Sequence, residues 1–136
     1  MIVGVGVDLV DVLRVRRLLE RKGDRALRRL FTDGERAYAD THPEPARQLA
    51  ARVAAKEAAF KALAGNELAR SIGWRELEVV ARPNRSPLLV LHGRALDRAA
   101  ELGVVRLHLS ITHTDLTAAA FVVAESSDQF GASIDP

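Results

Sequence analysis

Near the start of the chain, Val3, Val5 and Val7 alternate with Gly4 and Gly6. A period of two predicts a strand, and glycine at every second position leaves one face of it without side chains. That bare face constrains the fold, because another backbone or a ligand must approach it closely. Asp8 follows, expected at the strand end beside that approach. By itself it reads best as a cap for a helix beginning near Asp11, and the open backbone next to it leaves room for a ligand.

Residues 11–22 predict a helix with Val15, Leu18 and Leu19 as its apolar stripe and Arg14, Arg17, Arg21 and Arg25 on another face. Gly23-Asp24 breaks it, with Asp24 expected to cap a shorter helix to Leu30. Thr32-x-x-Glu35 is a capping box for a third short helix, ending before His42-Pro43-Glu44-Pro45. Pro45 suits the first turn of a long helix over 45–64, stopped by Gly65, and a loop is expected from there to Gly73. Residues 74–82 and 88–91 predict a hairpin around Asn84-Arg85-Ser86-Pro87. An alanine-rich helix over 93–102, a strand through Val105, Leu107, Leu109 and Ile111 to His113, and a last strand over 118–123 complete the pattern. The expected fold is α+β: a small antiparallel sheet packed with one long helix and shorter ones, in a single domain over 1–125. Residues 126–136 are polar and are expected to form a disordered tail.

Two charge features bear on function. Eight basic residues stand between Arg14 and Arg29 against Glu20 and Asp24, so a chain of net charge +2 carries a local excess of +6. Such a patch draws an acidic partner: nucleic acid, an anionic membrane or an acidic protein. A small basic nucleic-acid-binding domain is the alternative reading, although only 4% of residues are aromatic and stacking platforms are scarce. The second feature is Glu57, which a helical wheel places among Ala46, Leu49, Ala50, Val53, Phe60 and Ala64. A carboxylate on such a face needs a cation or several hydrogen bonds. The bland alternative is an exposed Glu57–Lys61 pair at i,i+4. If Asp8 and Glu57 meet, their repulsion favours a divalent cation between them, and oxygen ligands suit Mg²⁺ with phosphate oxygens completing its shell. The chain has no cysteine, which excludes disulfides, thiolate metal sites and thiol nucleophiles and agrees with a cytoplasmic setting. His113 lacks a second histidine at zinc spacing, Ser110 lacks a hydrolase elbow, and the glycines at 4 and 6 lack the third of a dinucleotide fingerprint. No apolar stretch is long enough to span a bilayer.

Three segments, taken together, resemble the holo-(acyl-carrier-protein) synthase family of 4′-phosphopantetheinyl transferases. They are Gly4-Val5-Gly6-Val7-Asp8-Leu9-Val10-Asp11-Val12-Leu13-Arg14-Val15; Arg52-Val53-Ala54-Ala55-Lys56-Glu57-Ala58-Ala59-Phe60-Lys61; and Ser110-Ile111-Thr112-His113-Thr114. The Trp74 strand and the Ser86-Pro87 turn also sit where that family has a similar strand and turn. The resemblance implies an enzyme that moves phosphopantetheine from coenzyme A to a serine of an acyl carrier protein and releases 3′,5′-ADP. It further implies Mg²⁺ on Asp8 and Glu57, and phosphate contact by Lys61. Arg52 and His113, with Thr114 beside it, would bind the nucleotide end. Arg14 and the basic face after it, including Arg21, would dock the carrier. A homotrimer with sites between subunits is implied as well, with no membrane or nucleic-acid partner. The chain departs from the family at Gly65-Asn66-Glu67, where a G-T-G-like loop is usual, and at Ser86, where glycine is usual.

Overall fold

A computed structural model describes residues 1–127. Six helices and five strands run in the order β1 (Ile2–Asp11), α1 (Val12–Lys22), α2 (Asp24–Leu30), α3 (Asp33–Asp40), α4 (Pro45–Leu63), α5 (Glu67–Arg70), a 3₁₀ turn (Trp74–Glu76), β2 (Leu77–Ala81), β3 (Pro87–Leu91), α6 (Gly93–Leu102), β4 (Val104–His113) and β5 (Thr117–Ser126). The antiparallel strands form two sheets, β1-β5-β4 and the β2-β3 hairpin. The α+β expectation therefore holds. Among the described residues no helix is long and apolar enough to cross a membrane.

α4 lies across the three-stranded sheet, and the glycines of β1 permit it. A Cβ on Gly4 would run into the carbonyl oxygen of Ala62, and one on Gly6 into that of Ala58. Two residues along a strand and four along a helix both advance about 6 Å, so the strand and the helix backbone stay in step. The register places Gly6 opposite Val122, Asp8 opposite Ala120 and Val10 opposite Ala118, with Ile111 and His113 continuing the same rows onto β4. This face packs on α4. The other face carries Val5, Val7, Leu9 and Phe121, all exposed.

Several local expectations change. Asp8 sits within β1, three residues before its end, and the cap position of α1 is Asp11, whose side chain makes no capping bond. Asp24 occupies the first turn of α2 while Gly23, at φ 53°, precedes it as the cap. Asp24 instead pairs with Arg28 and Arg36. Trp74 begins a 3₁₀ turn before β2, and a short α5, capped by the Asn66 side chain, interrupts the expected loop. Residue 126 closes β5, whereas residues 128–136 of the expected tail lie outside the described residues.

The Thr32 box is present as expected, but Glu35 does more than cap. Its side chain is fully buried and meets the ammonium of Lys56 at 2.6 Å. It also accepts from the backbone N–H groups of Thr32 and Val79. Lys56 donates further to the carbonyls of Leu30 and Trp74. Burial holds its pKa below the ordinary value, opposed by the Glu35 charge.

Candidate active site

β1 delivers Asp8 and α4 delivers Glu57 and Lys61 to one place. Lys61 donates to Asp8 Oδ1 at 3.0 Å and to the Val7 carbonyl at 2.9 Å, so it ties the helix to the strand and does not pair with Glu57. Arg14 Nη2 stands 3.6 Å from Glu57 Oε1. With both carboxyls ionised, Asp8 Oδ2 is buried with no hydrogen-bond partner, and a proton on Glu57 would be shared with Asp8. α4 proves buried on nearly every side between Leu49 and Leu63, and Glu57 is one of its few half-open positions. The wheel placed Glu57 in a buried stripe; the actual pattern is alanine all round with an opening where the carboxylate stands.

The electrostatics match two carboxylates sharing a confined space. Burial and the adjacent Asp8 push the pKa of Glu57 up to about 7, although Arg14 and Lys61 pull the other way. Burial would raise Asp8 too, but Glu57 and Lys61 hold it below its ordinary value. A proton on Glu57 thus relieves the pair, and a divalent cation would relieve it more fully. Among the described residues no group of three or more His, Asp or Glu side chains gathers here or elsewhere. Two carboxylates with an orphaned buried oxygen fit an ion such as Mg²⁺, which keeps water ligands and takes substrate phosphates.

This arrangement has a pH signature. The folded chain holds on Glu57 a proton that the unfolded chain, with a pKa near 4.5, has released. The resulting stability is full below pH 4.5 and is lost as the pH rises through about 7. With the side chain 27% open to solvent, the loss is screened to about 2 kcal/mol. In chelator, the wild type should lose stability between pH 5 and 8 relative to Glu57→Gln. Parallel stability curves for the two proteins would contradict the raised pKa.

Arg52 and His113 stand elsewhere. Arg52 is five residues before Glu57, about 140° around the helix. Its guanidinium lies 4.3 Å from the centre of the Tyr38 ring, and its buried Nε has no partner. Burial lowers its pKa, offset by Glu35 and Tyr38. A cleft brings it together with Tyr38, His42, Arg85 and His113. β5 separates β4 from β1, so His113 is about 10 Å across the sheet from the strand of Asp8. Thr114 Oγ1 accepts from the backbone of Leu116 and Thr117 and closes the β4–β5 turn. The sequence reading missed Tyr38; its signal was being the only tyrosine of the chain, one turn before a His-Pro loop.

On the Glu57 side, Arg14, Leu18, Arg21, Leu30 and Trp74 line a groove that opens at the carboxylate. Arg17, Arg21, Lys22, Arg25 and Arg29 make no ion pair among the described residues, leaving a positive rim for an acidic partner.

A family model described as the 4′-phosphopantetheinyl transferase superfamily matches residues 4–122. A holo-[acyl-carrier-protein] synthase of Alkalilimnicola ehrlichii is 51% identical over 129 residues, spanning 94% of this chain and 100% of that protein. The crystal structure of a holo-[acyl-carrier-protein] synthase from Neisseria meningitidis aligns with a TM-score of 0.82 at 30% identity, over 93% of this chain and 100% of that one. Another from Bacillus anthracis, in complex with CoA (3′,5′-ADP), aligns with a TM-score of 0.74 at 30% identity, over 93% and 99% of the two chains.

Proposed function

The chain belongs to the 4′-phosphopantetheinyl transferase superfamily, and from that premise we propose that it transfers phosphopantetheine from coenzyme A to a serine of an acyl carrier protein, using Mg²⁺ held by Asp8 and Glu57. The observation that carries the reading is the carboxylate pair itself, with Asp8 Oδ2 buried and unpartnered beside the Lys61 ammonium.

In the reaction the carrier serine oxygen forms a bond to the β-phosphorus of coenzyme A. The phosphoanhydride bond breaks, 3′,5′-ADP leaves with the electron pair, and the hydroxyl proton passes to solvent. A bound Mg²⁺ supplies charge neutralisation to the pyrophosphate. Lys61, already poised at the pair, offers its ammonium to the phosphates. Arg52 and His113 bind the nucleotide end in the cleft they share with Tyr38. Thr114 shapes the turn that presents His113. Arg14 and Arg21 orient the acidic carrier at the mouth of the groove. A cytoplasmic setting and a carrier of fatty-acid or polyketide synthesis go with this reading.

The Arg52–His113 cleft and the Asp8–Glu57 pair stand apart in one protomer, about 140° around α4 and two strands across the sheet. That separation supports a homotrimer whose sites form between subunits, with the exposed Val5, Val7, Leu9 and Phe121 as apolar surface for a second copy. Sedimentation as a monomer at full activity would contradict this assembly. The transfer itself is tested by incubating the protein with coenzyme A, Mg²⁺ and an apo carrier. The carrier should gain the mass of phosphopantetheine, and chelator should prevent the gain. An unmodified carrier would refute the proposed activity.

A further inference from the structure

The reaction above leaves one buried charged residue unused. Lys56 is wholly buried, yet it precedes Glu57 on α4 and reaches three separate elements. Its ammonium donates to Glu35 on α3, to the Leu30 carbonyl at 2.8 Å and to the Trp74 carbonyl at 2.9 Å. Leu30 closes α2, so its carbonyl lies beyond the helix's own donors and takes a side-chain donor instead. Leu30 and Trp74 are also two walls of the groove that opens at Glu57 between Arg14 and Arg21.

We propose that Lys56 is a positioning residue for the carrier: its buried ammonium fixes the Leu30 and Trp74 walls at a set distance from Glu57. This rests on reading that groove as the carrier's seat. A buried lysine is a costly way to stabilise a core, since apolar side chains of similar volume do as well or better. Three convergent bonds to three different elements do what apolar packing does not, which is to specify where those backbones stand. The nucleotide cleft at Arg52 and His113 is not lined by Leu30 or Trp74 and should not register the change.

The test compares Lys56→Met with Leu63→Ala, a core truncation at the far end of α4 that leaves the three bonds in place. Lys56→Met/Glu35→Gln serves as a second variant, since it removes the lone buried carboxylate if the single substitution does not fold. Both Lys56 variants should raise KM for the carrier about tenfold or more, and Lys56→Met should leave KM for coenzyme A and Mn²⁺ affinity unchanged. Leu63→Ala, brought to a similar melting temperature, should keep the carrier KM of the wild type. Equal carrier KM in the Lys56 variants and the wild type, or an equal rise in Leu63→Ala, would overturn the positioning role. Failure of the wild type to modify any carrier would instead refute the underlying activity.

Discussion

Glu57→Gln is expected to preserve the fold and lower phosphopantetheine transfer by about a thousandfold or more, equivalent to about 4 kcal/mol of transition-state stabilisation. The substitution keeps the volume of a half-buried side chain, and in its neutral form the wild-type carboxyl already resembles the amide. Only the anion is lost, and Asp8 alone is a poor seat for a divalent ion. Urea denaturation should give an unchanged slope, separating the loss from unfolding. Transfer within tenfold of the wild type would contradict the role assigned to Glu57.

Gly6→Val carries the largest expected effect on stability. The new Cβ would meet the Ala58 carbonyl oxygen, which belongs to a helix backbone and has nowhere to yield. β1 and α4 must separate along their contact, at a cost above about 4 kcal/mol, a large share of the roughly 5–15 kcal/mol that holds a folded domain. Urea titration should show a collapsed midpoint or no folded baseline. A midpoint near that of the wild type would mean the helix does not rest on the glycine face.

That same face was legible in the sequence because alternation states directly which side of a strand is bare. The hairpin, the Thr32 capping box and the long helix after Pro45 were legible for a similar reason, since each depends on local residue chemistry. The exact surroundings of Glu57 were not. A wheel assigns a face by apolar spacing, and α4 is so rich in alanine that several faces qualify at once. Lys56 was passed over because lysine reads as solvated, although its place between Ala54-Ala55 and Ala58-Ala59 left little open surface for it. Glu35 was read as a cap, which it is, but a cap signal is satisfied within one helix turn and says nothing of a partner 21 residues away. The separation of Arg52 from Glu57 follows from helix geometry alone, whereas its stacking on Tyr38 depends on how α3 folds back onto α4.

The paired carboxylates are tested most directly by titrating the protein with Mn²⁺ and following the bound ion by its paramagnetic signal, without substrate. The wild type should bind about one ion per chain, more tightly as the pH rises through 7, where Glu57 gives up its proton. Asp8→Asn and Glu57→Gln should each abolish that binding. Undiminished binding in both variants would contradict the metal site on which the mechanism stands.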